Sequence, residues 1–333
     1  MGTLITGGAG YIGSHMALAL IDAGEEVVVV DNLSTGLRWA VPADAKFVEG
    51  DVGDSGLIKR LVERNNIDAV MHFAGSLLVE ESIADPLAYY FNNTCKSRTL
   101  IESVIQAGVK HFIFSSSASV YGVPELNPVN EDAPLRPISP YGSSKLMTET
   151  MLSDVGATHD LRFVTLRYFN VAGADPMGRA GQSTRSTTHL IKVAAQAALG
   201  RRASLEIFGT DYPTADGTCI RDYIHVSDLA AAHLSALSYL RGGGKSEILN
   251  CGYGRGYSVR EVIASVKRVS NCDFPVSVGP RRPGDPAELV AGIDRITRVL
   301  RWSPRYADLD TIVTHALRWE QHLVKVAAEG LSG

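Results

Sequence analysis

The stretch Thr6-Gly7-Gly8-Ala9-Gly10-Tyr11-Ile12-Gly13 constrains the fold more than any other. It follows the strand-like run Thr3–Thr6 and opens an apolar stretch, Tyr11–Ala23, that reads as a helix. Glycines at 7, 10 and 13 remove side chains where a strand turns tightly into a helix. The next run, Val27–Asp31, begins with four consecutive valines, which suits a strand covered on both faces. Further candidate strands are Lys46–Glu49, Ala69–Phe73, His111–Ser115 and Phe163–Leu166, separated by helix-like segments such as Leu87–Ala107. Strands alternating with helices predict an α/β chain with a doubly wound parallel sheet.

A chain of 333 residues can bury a large core and is long enough for two domains. Its 45% hydrophobic and 20% charged residues are ordinary for a globular protein. A net charge of −4 leaves no basic footprint for nucleic acid or an anionic membrane. No apolar run approaches the ~20 residues of a membrane span. Met1 leads directly into the first strand, so no signal peptide and a cytoplasmic location are expected. Cys95, Cys219, Cys251 and Cys272 are scattered, form no C-x-x-C pair and build no metal-ligand cluster with the histidines. A reducing compartment and no metal are the expectation.

The glycine turn also suits a ligand. Small residues let the backbone approach a pyrophosphate, which sits at the positive end of the following helix. A tight turn alone would explain the glycines, but Asp31 stands about 20 residues on, where a carboxylate accepts from a ribose 2′-hydroxyl. The same carboxylate repels a 2′-phosphate, which favours NAD over NADP. Asp51 and Val52 follow the third strand, where they could reach an adenine edge, and Phe73-Ala74-Gly75 closes the fourth with small residues beside the cofactor path.

A second constellation lies downstream. Tyr141 and Lys145, four apart, fall on one face of a helix. A phenol has an unperturbed pKa of roughly 10, and a neighbouring ammonium favours its ionised form. A hydroxyl from Ser117 could then hold a substrate oxygen beside the tyrosine.

Together Thr6–Gly13, Asp31, His72-Phe73-Ala74-Gly75, Ser115-Ser116-Ser117, Val120-Tyr121-Gly122 and Tyr141…Lys145 resemble the extended short-chain dehydrogenase/reductase family. More narrowly, Arg167-Tyr168-Phe169-Asn170, Ile207–Thr214, Arg221-Asp222-Tyr223-Ile224-His225-Val226 and Pro280–Asp285 resemble the bacterial UDP-glucose 4-epimerases of that family. The resemblance implies a Rossmann-type NAD-binding domain of residues 1–170 plus about 221–245. A smaller nucleotide-sugar-binding domain would take about 171–220 plus 246–333.

It also implies a reaction. Tyr141 would remove the proton from the sugar 4-hydroxyl as hydride leaves C4 for NAD, and the 4-keto sugar would turn and take the hydride back on its other face. Lys145 would lower the pKa of Tyr141, and Ser117 would bond the 4-oxygen. Cofactor contacts would come from Gly7, Gly10, Tyr11, Ile12, Gly13, Asp31, Asn32, Asp51, Val52, Phe73, Ala74, Gly75, Asn92, Ser115, Tyr141, Lys145 and Tyr168. The UDP-sugar would meet Ser117, Tyr141, Phe169, Asn170, His189, Leu190, Phe208, Arg221, Arg282, Asp285 and Leu289.

The chain departs from the family pattern in places. Ser76-Leu77-Leu78 stands where a cofactor-contacting lysine is often found, Thr188-His189 where an asparagine pair is expected, and Leu289 where sugar size is limited. Ala118-Ser119 after Ser117 supplies no carboxylate, so the acid that a 4,6-dehydratase needs is missing. Epimerases of N-acetylhexosamine, uronate or pentose nucleotides, and a non-catalytic NAD sensor, stay open as alternatives. Galactose use and exopolysaccharide synthesis are both possible settings. Leu87–Ala107 and Ser143–Leu152 are candidates for a homodimer interface, and the loop Pro176–Thr187 for a substrate loop.

Overall fold

The computed structural model describes residues 1–184, 187–282 and 284–328. The first half of the chain runs β1 (Gly2–Thr6), α1 (Tyr11–Asp22), β2 (Glu26–Asp31), β3 (Lys46–Glu49), α2 (Ser55–Arg64) and β4 (Ile67–His72). It continues through α3 (Val79–Ala84), α4 (Pro86–Tyr89), α5 (Lys96–Gln106), β5 (His111–Ser117), α6 (Pro140–Thr158), β6 (Arg162–Tyr168) and β7 (Asn170–Ala172). The second half holds α7 (Leu190–Ala198), β8 (Leu205–Phe208), β9 (Ile220–His225), α8 (Val226–Arg241), β10 (Glu247–Cys251) and β11 (Gly256–Ser258). It ends with α9 (Val259–Ser270), β12 (Val276–Gly279), β13 (Glu288–Leu289), α10 (Asp294–Leu300) and α11 (Leu309–Ala328).

Seven parallel strands form the main sheet in the order β10-β6-β5-β4-β1-β2-β3. This is the doubly wound arrangement, and the strand order reverses between β1 and β4. The valines of β2 are buried, as a strand with helices on both faces requires. One apolar layer lies under α1 and α8, with Leu20, Val29, Ile113 and Leu237 buried in it. A second lies under α2, α5 and α6, with Ile58, Leu100, Phe112 and Leu152. The remaining strands build a sheet of β7, β9, β11 and β13 and a β8–β12 pair, with a third core among α7, α9 and α11.

Two expectations need correction. β10 was expected with the nucleotide-sugar part, yet it pairs with β6 along its whole length and extends the main sheet. Its buried Leu249 and Cys251 continue the apolar layer under α1 and α8, and α10 packs against the strand. Leu87–Ala107 was expected as one helix, but a π-helical stretch, Tyr90–Cys95, separates α4 from α5. The wider turn leaves the Asn93 carbonyl to accept from the Ser97 hydroxyl at 2.5 Å and from Thr148 at 3.4 Å. Such π turns are frequent at functional sites.

Candidate active site

A cleft of about 720 Å³ opens at the carboxyl ends of the strands, beside the reversal between β1 and β4. The glycine turn forms one end of it. A Cβ on Gly7 would lie 2.5 Å from the Ala74 nitrogen, and one on Gly13 would lie 2.2 Å from the Gly7 oxygen. Gly7 also has a φ of 72°, in the left-handed region. Around Gly10 only the Gly7 oxygen is near, at 3.3 Å, so this position faces open space. No side chain caps the start of α1 and no acidic residue sits in its first turn. Its backbone donors and positive dipole end are therefore available to an anion.

Asp31 ends β2 beside this turn. Its two carboxylate oxygens accept from the Ala9 and Leu33 backbone amides at 2.9 and 2.8 Å. That fixes the acid at the cleft wall, with lone pairs left for a ribose hydroxyl. Further along, Asp51 accepts from Lys96 at 2.5 Å, Gly53 at 2.8 Å and Asn32 at 3.2 Å. Burial would raise the Asp51 carboxyl, but the Lys96 ammonium and these donors hold it below the usual range. Lys96, the first residue of α5, itself lines the cleft and was not among the expected residues; its pairing with Asp51 joins segments far apart in the chain, which local pattern does not reveal.

The groups expected to do chemistry meet at the middle of the cleft. Alternation along β5 turns Ser115 and Ser117 into the cleft and Ser116 away from it. Ser139 caps α6 by accepting from the Gly142 amide at 3.1 Å, and Pro140 occupies the first turn, so Tyr141 and Lys145 project from a well-fixed helix start. The Lys145 ammonium donates to the Ser115 carbonyl at 2.9 Å and lies 5.9 Å from the Tyr141 ring centre. Burial pushes the Lys145 ammonium down to about 8, while the nearby Glu149 carboxylate works the other way. Burial raises the Tyr141 phenol, and a hydrogen bond with Ser117 opposes the rise. In the protein alone the net effect on the phenol is a rise, against the lowering expected from Lys145.

Asn93 also went unforeseen. Its side-chain oxygen accepts from the Ser76 amide at 2.8 Å, and its amide nitrogen donates to the Ser76 carbonyl and the Ser144 hydroxyl at 2.9 and 3.1 Å. It ties the Phe73–Ser76 turn to α6; its neighbour Asn92, which was expected, donates to the Ser76 hydroxyl at 3.0 Å and lines the cleft. Leu77 lines the cleft half exposed and offers no charge there.

At the other end, Phe169, Asn170, His189 and Leu190 line the same cleft. Burial lowers the His189 imidazole to about 4, with Lys192 adding to the effect, so it is neutral near pH 7. Its Nδ1 lies 2.8 Å from the Gln182 side-chain nitrogen. Gln182 and Thr187 also line the cleft. They belong to the loop Pro176–Thr187, of which residues 185 and 186 lie outside the described ones.

Phe208, Arg221, Arg282, Asp285 and Leu289 do not line this cleft but gather beside it. Leu289 of β13 is in register with Arg221 of β9 and packs with Phe169, which links the two groups. Arg221 is paired with Asp285. The Arg282 guanidinium lies 4.1 Å from the Phe208 ring centre and 3.5 Å from the Glu80 carboxylate. Among the described residues, no cluster of three or more His, Cys, Asp or Glu could hold a metal ion. No helix among them is long and apolar enough to cross a membrane.

The cradle therefore fits a dinucleotide, with side chains absent where a pyrophosphate would approach and an acid at ribose distance along the wall. Comparison with known proteins agrees. A family model described as NAD dependent epimerase/dehydratase matches residues 3–252. A protein of Azospirillum brasilense named UDP-glucose 4-epimerase is 60% identical over 320 residues, covering 96% of this chain and 92% of that one. A crystal structure of a UDP-glucose 4-epimerase superimposes with a TM-score of 0.94 at 46% identity, covering 97% of this chain and 98% of the other. A UDP-glucose 4-epimerase from Stenotrophomonas maltophila, with bound NAD and formylated UDP-arabinopyranose, gives a TM-score of 0.95 at 38% identity, covering 98% and 99%. With a Rossmann-type sheet, a glycine cradle and these relatives over nearly its full length, the chain belongs to the NAD dependent epimerase/dehydratase family, within the extended short-chain dehydrogenases/reductases.

Proposed function

We propose that this chain is an NAD-dependent 4-epimerase that interconverts UDP-glucose and UDP-galactose. The observation that carries the reading is the convergence of Ser117, Tyr141 and Lys145 in the cleft that begins at the glycine turn. Bound NAD supplies the acceptor and donor of the hydride at the sugar C4. The chain supplies the rest. Tyr141 takes the proton of the 4-hydroxyl and returns it, and Ser117 holds the 4-oxygen in line with the phenol. Lys145, fixed on the Ser115 carbonyl, favours phenolate as a neighbouring positive charge. The amides at the start of α1 take the pyrophosphate of the dinucleotide, and Asp31 takes a ribose hydroxyl.

On this reading the UDP half of the substrate is gripped by Asn170, His189 and Leu190 in the cleft, and by Phe208, Arg221, Arg282, Asp285 and Leu289 beside it. Arginine forks suit phosphate oxygens, and Arg221 and Arg282 would exchange their present carboxylate partners for them. Strong binding of the nucleotide leaves the sugar free to turn, as return of hydride to the opposite face demands. The NAD-binding part takes residues 1–170, the α8 region and β10, and the UDP-sugar part takes most of the rest.

The reading extends to a homodimer. Ile83, Leu87, Phe91 and Met147 are exposed apolar side chains on α3, α4, the π turn and α6, which pack side by side. An apolar face of this kind, on otherwise well-packed helices, suits a second copy of the chain.

The deciding experiment incubates the purified protein with UDP-galactose, first without and then with added NAD, and follows both sugar nucleotides by chromatography. Formation of UDP-glucose without net NADH is the expected result. Absence of conversion with NAD present would sink the assignment to these two sugars, and the N-acetylated, uronate and pentose nucleotides would be tested next.

A further inference from the structure

Next to the catalytic groups, between α6 and the ends of β5 and β6, lies a buried ion pair that does not line the cleft. Glu149 and Arg167 are each about 2% exposed. Glu149 stands one helical turn beyond Lys145 on α6. Arg167 lies on β6 directly opposite Ser116 of β5. The Glu149 carboxylate accepts the Ser116 hydroxyl at 2.5 Å and the Arg167 Nε and terminal nitrogen at 3.0 and 2.6 Å. Arg167 donates its other terminal nitrogen to the Tyr121 hydroxyl at 3.0 Å, and Tyr121 donates in turn to Asn250 of β10 at 2.6 Å. Ser116 immediately precedes Ser117, and Tyr121 follows it by a single short turn.

Ser117 is thus held on both sides by groups that converge on one carboxylate and one guanidinium, and the carboxylate belongs to the helix that carries Tyr141 and Lys145. A buried ion pair is a poor device for stability, because desolvation of both charges offsets their attraction. It is a good device for geometry: the guanidinium fork is planar and its donors have fixed directions. We infer that Glu149 and Arg167 are positioning residues that lock the end of β5 to α6 and thereby set the separation between Ser117 and Tyr141. The inference rests on the epimerase reading for its link to turnover, but the geometry it describes has its own readout.

Two variants test it: Ser116→Ala, which removes one bond and keeps the ion pair, and Glu149→Leu combined with Arg167→Met, which removes both charges together. Each NAD-saturated protein is assayed with UDP-galactose. The ionisation of Tyr141 is followed separately as the ultraviolet difference titration between each protein and its Tyr141→Phe counterpart. Misplacement of a catalytic pair by a fraction of an ångström is expected to lower kcat about ten-fold in Ser116→Ala and about a hundred-fold in the double variant, with KM changed less than about two-fold. The Tyr141 titration should move to higher pH in both, as the Ser117 hydroxyl shifts away from the phenol. Wild-type kcat together with an unshifted titration in folded Ser116→Ala would overturn the inference. Should that variant not fold, an unshifted titration in the double variant would do so. An inactive wild-type protein would sink the epimerase reading instead, and the titrations would still decide the role of the pair.

Discussion

The Lys145 ammonium donates to the Ser115 carbonyl oxygen at 2.9 Å while standing 5.9 Å from the centre of the Tyr141 ring. It is held by the end of β5 and faces the tyrosine. Burial has brought its pKa from 10.5 to about 8, so folding disfavours the charged form that the reaction needs. The folded value lies below the unfolded one. Stability therefore rises as pH climbs from about 8 towards 10.5, where the unfolded chain binds the extra proton. Lys145→Met is expected to lose about a hundred-fold or more in turnover while its Tm stays equal to wild type or rises. Activity should also fall on the alkaline side of pH 8 as the ammonium is lost. A marked drop in Tm would show that the lysine is kept for the fold.

The glycines of the turn should separate stability from cofactor binding. Gly13→Ala drives a methyl to 2.2 Å from a backbone oxygen and should cost about 1–3 kcal/mol. Gly10→Ala meets only one atom, at 3.3 Å, and points into the cleft. It should keep its Tm and bind NAD at least ten-fold more weakly, measured by calorimetry. Equal affinity in Gly10→Ala would place the pyrophosphate elsewhere.

Four buried histidines, with His189 at the cleft wall, are expected to set the acid limit of the fold. Burial lowers His72 and His225 to about 3, and His15, His189 and His233 to about 4. Their folded values lie below the ordinary 6.5, so the unfolded chain takes up protons first as pH falls. Their contribution is fully present above 6.5 and is lost progressively as pH falls towards 4 and then 3. Tm measured by scanning fluorimetry should decline steadily below pH 6.5, well before most carboxylates titrate. A flat profile between pH 6.5 and 5 would contradict this.

The exposed apolar face on α4 and the π turn gives a test of assembly. Leu87 is 76% and Phe91 62% exposed, so replacing both with aspartate removes no core contact. Sedimentation should then show monomer where the wild type shows dimer, with Tm of the monomer reduced by loss of association. A wild-type protein that sediments as a monomer would remove the dimer from the proposal.

The part of this protein written in neighbouring residues was open to reading. The alternation of strands and helices, the glycine turn, Asp31 at the end of β2, and Tyr141 four residues before Lys145 all depend on spacing along the chain, and the structure brings them into one cleft. What lay beyond reach depends on residues that meet only after folding. The π turn that frees the Asn93 carbonyl, the attachment of β10 to the main sheet and the Lys96–Asp51 pair have no local signature. The same holds for the net rise of the Tyr141 phenol. Spacing places a lysine beside the tyrosine, but the depth of burial that raises the phenol is a property of the packed core. The sequence by itself determined the glycine turn, Asp31 at a strand end and Tyr141 with Lys145 on one helix face, because helix and strand periods are fixed by the backbone. Only the tertiary structure decided their charge, their exact separation and the partners that hold them, because desolvation and long-range pairing arise when distant segments exclude water together.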